Sequence, residues 1–405
     1  MTTKHQEKQV ITMPRNSIRV AIVGGGIGGL AAANALLHRG VDVQVYEQAP
    51  ALGEVGAGVL ITPNSLRLMH RIGIGDAVAA VGAGVGDGSR YYREDGSLVA
   101  PILTTDSSGW NGMFGVHRAD LVDVLAEALP SESVHTGYRA VGFSQDADEA
   151  VVRFDNGAEV RADAVIAADG IHSVLRSCVA EPSAPIDSGS VAYRGLVPAE
   201  RVPWWPTGIS QLWMGEQRHF LVYPVRGGTL INYVGFVPSH EKAAESWTAL
   251  GDIDALRKEF ATWDPVIPRL LAEVETTNWW GLYDRDPLAN WTQGRLTLLG
   301  DAAHPMLPHL GQGANQSIED AVALAVFVGP ATRESLPEAL RCYENLRRQR
   351  TQQVQLGARA NGRRYDSHFE DLSERDAEIA GSVRFRSWLY DYDAEAAALE
   401  ALAAS

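Results

Sequence analysis

Cysteine is scarce in this 405-residue chain: there are two, Cys178 and Cys342. They are too few and too far apart for a disulfide scaffold or a zinc cluster. A reducing, cytoplasmic setting is expected. Long apolar runs are missing too. No stretch of about 18 apolar residues occurs, so no membrane span is indicated. The opening segment MTTKHQEKQVITMPRNS is polar and lacks the apolar centre of a secretory signal. Residues 1–17 read as a flexible tail. Positive charge is also short: 35 Lys and Arg stand against 50 Asp and Glu, a formal net charge of −15. That balance speaks against nucleic acid and anionic membranes as partners. It does not exclude an acidic small substrate, because a buried site can carry its own positive field. No metal-ligand cluster is recognisable, so no metal is expected.

What remains is ordinary globular composition, 45% hydrophobic and 21% charged. The length suits two domains with a tail. Ile18 to Val23 is a short apolar run, as expected of a buried parallel strand. Gly24, Gly26 and Gly29 follow in the pattern G-x-G-x-x-G, and an alanine-rich helical stretch runs to His38 before Gly40. A second strand, VDVQVY, ends on Glu47. Glycine lets the chain bend and lets backbone approach a pyrophosphate. The helix N-terminus then offers free N–H groups and partial positive charge. An acid about 20 residues on can accept ribose hydroxyls. The other reading of these glycines is a tight turn in an unrelated α/β domain.

Three further segments stand out. EVGAGVLITPNSLRLMHRIGI has Gly56 and Gly58 for close backbone approach and Pro63-Asn64-Ser65 as a helix start. VIAADGIHSVLR places Asp169 and Gly170 just after a strand. In GRLTLLGDAAHPMLPHLGQGANQSIEDAVALAVFV a strand runs into Gly300-Asp301, then a Gly- and Pro-rich loop, then a helix from about Asn315.

With these motifs the chain resembles the class A flavoprotein aromatic hydroxylases, the 4-hydroxybenzoate hydroxylase superfamily. It looks nearest to salicylate hydroxylases, 6-hydroxynicotinate 3-monooxygenases and 3-hydroxybenzoate 6-hydroxylases. The resemblance runs from about Arg19 to the WLYDYDA stretch, Trp388 to Ala394. It implies an α/β fold: a G-x-G-x-x-G FAD-binding domain with a parallel sheet, an inserted antiparallel-sheet substrate domain, and C-terminal helices. The expected divisions are 18–184 and 285–365 for FAD, 185–284 for substrate with 85–108 as a candidate addition to its sheet, and 366–405 as a helical tail. It further implies tightly bound FAD, NADH or NADPH as co-substrate, oxygen, a small aromatic substrate, and a monomer or homodimer. Carried over by position, Glu47 holds the adenosine ribose and Arg118 contacts FAD near its pyrophosphate or ribityl chain. Asp169-Gly170 serves FAD and nicotinamide binding, and Asp301 binds the ribityl chain. Gly311, Gln312, Gly313, Ala314 and Asn315 lie against the flavin ring. A helix N-terminus there stabilises the negative charge of reduced flavin.

The middle of the chain changes character. SGSVAYRGLVP, GISQLWMG, RHFLVYPVRGG and LINYVGFVP read as antiparallel strands, and 253–274 reads as helical. On RHFLVYP, His219, Leu221 and Tyr223 alternate onto one face. A core histidine beside a core tyrosine would give the same spacing. The resemblance instead makes His219 and Tyr223 active-site residues that position the substrate hydroxyl and help deprotonate it. It gives His309, in MLPHLGQG, a role in orienting the substrate or relaying its proton. Pro308-His309 matches the salicylate and nicotinate enzymes, whereas the 3-hydroxybenzoate enzymes usually carry Gln-Tyr. Decarboxylating hydroxylation is therefore slightly preferred. Other readings stay open: a flavin monooxygenase of a larger natural product, or a flavin-binding protein without oxygenase activity. Tyr193-Arg194 serves cofactor binding or packing, Trp213 and Met214 are pocket wall or sheet core, and ENLRRQRTQQVQ reads as a solvated helix face.

Overall fold

The computed structural model describes residues 18–53, 57–181, 183–239, 249–366 and 368–404. The expected tail over 1–17, and Gly56 of the second motif, lie outside the described residues. The strand Arg19–Val23 is buried along its last four residues, which is why it needs no polar alternation. Ala164–Ala167 and Asp42–Glu47 pair with it in parallel. Leu296–Leu298 lies beyond the first and Val134–Thr136 beyond the second. The carboxyl ends Val23, Glu47, Ala167 and Leu298 therefore sit side by side. The turns that follow them converge on one edge, where ligands bind in open α/β sheets.

The helix Ile27–His38 packs between this sheet and the helix Gly313–Val328. Both are buried nearly all round, so alanine and glycine let them approach closely. Leu30 and Leu36 are fully buried there, each stabilising the core by about 1.5–3 kcal/mol.

The 185–284 region builds one mixed, mostly antiparallel sheet of eight strands. Ile186–Pro198 and Leu230–Pro238 lie at its centre, and Arg218–Val225 pairs beside the latter. Arg90–Arg93 and Leu98–Pro101 join at one edge, so the 85–108 segment does extend this sheet. Two helices, Ile253–Glu259 and Val266–Ala272, pack on it and bury Phe220, Tyr233 and Phe260. The single helical stretch expected over 253–274 breaks because Pro265 disfavours helix in the residue before it. Asp264 instead accepts a hydrogen bond from Trp213 Nε1 at 2.9 Å, which makes Trp213 sheet core.

The long helix Leu336–Asp366 packs on the helix Gly313–Val328 and against strands of both sheets, and Leu372–Gly381, Val383–Tyr390 and Ala394–Ala404 follow. The ENLRRQRTQQVQ stretch is not a solvated face. Arg347 and Glu319 are both fully buried and paired at 2.7 Å. Arg347 also reaches Asp320 at 2.7 Å, and Arg350 reaches Glu319 at 2.8 Å. His304 Nε2 meets Asp320 at 2.5 Å. Burial alone would push the Glu319 and Asp320 carboxyls up; the facing cations outweigh it and hold both below the usual range. Buried charges are tolerated here because they come as a compensated set. Among the described residues no helix is long and apolar enough to cross a membrane.

Candidate functional site: a two-lobed cleft with a side cavity

The converging turns line the first lobe of a cleft. Its wall holds Gly24, Gly26, Glu47, Arg118, Asp169 and Gly170, joined by Tyr138, Arg139 and His172. Gly24 has φ of +112°, and a Cβ there would sit 2.2 Å from the Ala168 carbonyl oxygen. Only glycine fits. No side chain caps the helix that starts after Gly26, so its first N–H groups remain open to an anion. Glu47 accepts from the Gly25 N–H at 2.6 Å and the Ala49 N–H at 2.8 Å. That fixes the carboxylate on the lobe wall with acceptor capacity to spare. Burial pushes the Asp169 carboxyl up. Gly29 differs from the expectation: it lies outside the cleft wall. A Cβ on it would come 1.9 Å from the Gly24 carbonyl oxygen, so Gly29 sets how closely helix and strand pack.

The second lobe, about 320 Å³, includes Gly58, Arg194, Tyr223, Trp280, Asp301, Gly313 and Ala314. Arg118 and Gly170 line both lobes, so the cleft is continuous. Burial lowers the Arg118 pKa and the nearby Asp301 opposes that. A buried guanidinium at the junction, next to an uncapped helix N-terminus, suits a pyrophosphate. The helix Gly313–Val328 also begins without a side-chain cap, so two helix N-termini open on one cleft. Asn315 departs from its expected place: it is fully buried behind the wall. It accepts from Thr62 N–H at 2.9 Å and donates to the Leu60 and Gly311 carbonyls at 2.8 and 2.7 Å. It therefore locks the turn onto the strand Gly58–Ile61 rather than facing a ligand. Arg176, which the motif reading passed over, donates to the Ala302 and Asp301 carbonyls at 2.7 and 2.8 Å and to that of Ile171 at 3.0 Å. It ties the Asp169 and Asp301 loops together.

Tyr223 packs against Gly58, where a Cβ would fall 2.8 Å from its hydroxyl. Burial raises its pKa beyond the ordinary phenol range, so Tyr223 stays protonated and acts as a hydrogen-bond donor. Arg194 stacks over Trp280 at 4.4 Å, and burial lowers its pKa to about 10.

A smaller cavity of about 60 Å³ shares Leu60, Leu221, Phe236, Pro308 and Gly311 with the second lobe. His219, His309, Tyr365 and Arg386 line it. His219 and Tyr223 thus share a strand face but open on different spaces, His219 on the cavity and Tyr223 on the second lobe. His219 stacks on Phe236 at 4.0 Å and meets His309 edge-on at 5.1 Å. Its Nδ1 is 2.6 Å from Asp366 Oδ1. Burial, aided by His219, holds the His309 pKa well below the usual histidine value, so the ring is neutral near pH 7. His309 and Asp366 also line a surface groove, so His309 stands between that groove and the cavity. Sequence reading found the histidines but not Tyr365, Asp366 or Arg386, which sit in and after the long helix with no local pattern to mark them.

The model of the FAD binding domain family matches residues 17–357 of the chain. The chain is 36% identical over 384 residues to a 3-amino-4-hydroxybenzoate 2-monooxygenase of Streptomyces platensis, covering 93% of this chain and 96% of that one. It is 35% identical over 417 residues to a salicylate hydroxylase of Pseudomonas putida, covering 95% of each. Among solved structures, a salicylate hydroxylase substrate complex superposes with a TM-score of 0.83 at 29% identity, covering 96% of this chain and 98% of the other. Klebsiella pneumoniae HpxO complexed with FAD and uric acid gives 0.74 at 28% identity, covering 95% of each.

Proposed function

The chain belongs to the FAD-binding-domain family of flavin-dependent aromatic monooxygenases, and from that premise we propose that its substrate is a single-ring hydroxylated aromatic acid held in the histidine-lined side cavity. The observation that carries this reading is the shared wall: the cavity with His219 and His309 opens onto the cleft that suits a dinucleotide. In that cleft Glu47 and Asp169 would hold the adenosine end of FAD, and the first helix N-terminus with Arg118 its pyrophosphate. Asp301 would hold the ribityl chain, with Gly313 and Ala314 beside the ring. Bound FAD supplies hydride acceptance from NADH or NADPH and activation of oxygen. The reaction balances as NAD(P)H, a proton, oxygen and a ring C–H giving a ring C–OH, water and NAD(P)⁺.

The protein's own part is proton handling and dryness. His219 takes the proton of the substrate hydroxyl, because a phenolate ring donates electrons better at its ortho and para carbons. Asp366 holds the Nδ1 side of His219, leaves Nε2 for the substrate and stabilises the imidazolium that forms. Neutral His309 orients the hydroxyl. Tyr223 donates a hydrogen bond from the cofactor side. Phe236 and Leu221 keep the shared wall apolar, which limits wasteful loss of peroxide to water. Carbon dioxide leaves only when the carboxylate sits on the carbon that is attacked.

The test is oxidation of NADH and of NADPH by the yellow holoenzyme with salicylate, 3-hydroxybenzoate, 4-hydroxybenzoate, 3-amino-4-hydroxybenzoate and 6-hydroxynicotinate. Hydroxylated product, peroxide and carbon dioxide are measured together. One acid speeding oxidation many-fold with little peroxide supports the reading. An unchanged rate with all five sinks it in favour of a larger aromatic.

A further inference from the structure

The side cavity contains a cation that no carboxylate among the described residues pairs with. Arg386, on the helix Val383–Tyr390, is 8% exposed and lines the cavity with His219. Its Nη2 donates to the Tyr365 hydroxyl at 3.1 Å, and the guanidinium lies 5.7 Å from the centre of the Tyr91 ring. Its Nε is buried without a hydrogen-bond partner. Among the described residues no carboxylate pairs with it. Arg347 and Arg350, buried in the same half of the molecule, each meet buried Glu319. A buried guanidinium surrounded by neutral phenols is costly unless an anion completes it. In a chain of net charge −15, an enclosed positive site is also the feature that would draw an acid inward.

We propose that Arg386 is the carboxylate-binding residue of the substrate site, so that the cavity takes an aromatic acid with its carboxylate at Arg386 and its hydroxyl at His219. The inference rests on the side cavity being the substrate site. Tyr365 stands beside both ends: its ring centre lies 5.2 Å from that of His219, and its hydroxyl takes the Arg386 hydrogen bond.

The experiment titrates the holoenzyme with 4-hydroxybenzoate, 2-hydroxybenzoate and the neutral isostere 4-hydroxybenzamide, reading the change in flavin absorbance. Wild type should bind 4-hydroxybenzoate at least about 30-fold more tightly than the amide, the size expected of a buried charged pair. Arg386→Met should lose about that factor for the acid and leave the amide unchanged, and Arg386→Lys should recover part of it. Flavin content and thermal midpoint verify that each variant is folded. Equal wild-type affinity for acid and amide overturns the proposal, and so does an acid-to-amide ratio that survives in Arg386→Met. If Arg386→Met does not fold, the wild-type ratio decides alone. If neither acids nor amide perturb the flavin, the substrate-site reading itself has failed and this inference falls with it; a flavin response to acids that ignores Arg386 condemns only the inference.

Discussion

The dinucleotide cleft and the side cavity meet at one wall, yet they are built by opposite means. The cleft is made of backbone: turns at Gly24–Gly26, Ala168–Gly170 and Gly311–Ala314, and two helix N-termini, each following directly on a strand or loop. The cavity is made of side chains brought from separate places: His219 from a central strand, His309 from a loop, Tyr365 from the end of the long helix, Arg386 from the tail. A backbone site needs particular residues in a row. A side-chain site needs only that the fold deliver them. The first should be brittle towards added atoms, and the second sensitive to altered chemistry.

The largest break should come on the backbone side. Gly29→Ala puts a methyl 1.9 Å from the Gly24 carbonyl oxygen. Helix and strand must part, and we expect the purified protein to carry almost no flavin. Flavin absorbance per protein checks this; a fully yellow variant would contradict it. Next comes the buried charge set behind the cleft. Arg347→Met leaves Glu319 with Arg350 alone and Asp320 with His304 alone, and should cost about 3 kcal/mol of stability, read as a lower thermal midpoint. An unchanged midpoint would mean that the set is not compensated as described.

On the cavity side, His219→Ala should keep its flavin and lose about 10²–10⁴-fold in hydroxylation rate. Asp366→Asn acts through His219, so it should lower kcat by about tenfold with KM little altered and change the pH dependence of kcat. Loss of flavin in either variant would erase the contrast between the two regions. The smallest effect concerns His309. Its folded pKa is depressed below the unfolded value of about 6.5. Stability is therefore intact above that pH and falls as pH drops below it, because the unfolded chain takes a proton that the folded one refuses. Between about pH 7 and pH 5 the thermal midpoint should fall further in wild type than in His309→Gln. Parallel curves would show that His309 is not neutral and buried as described.

The same contrast explains what could be read from the sequence. Gly24, Gly26, Gly58, Glu47, Asp169 and Asp301 are visible because a backbone site writes itself as contiguous motifs. Gly29 and Asn315 belong to those motifs but stand behind the wall; a motif names positions, not which way they face. The cavity histidines stood out only through the family resemblance, since their spacing equally fits a core strand. Asp366 and Arg386 left no trace, because their meaning depends on which distant residue each faces. The ENLRRQRTQQVQ stretch looked solvated for a related reason. Its acidic partners, Glu319 and Asp320, sit on another helix, and sequence spacing does not show which charges on separate helices face each other.

The measurement that bears most directly on the central claim is turnover of the best aromatic acid under heavy-isotope dioxygen, with mass analysis of the product. One labelled oxygen atom in the ring hydroxyl of the wild-type product, lost with the activity in His219→Ala while the flavin stays bound, is the result expected. Product without label, or NAD(P)H oxidation that yields only peroxide with every acid, would contradict the assignment of the side cavity as a hydroxylation site.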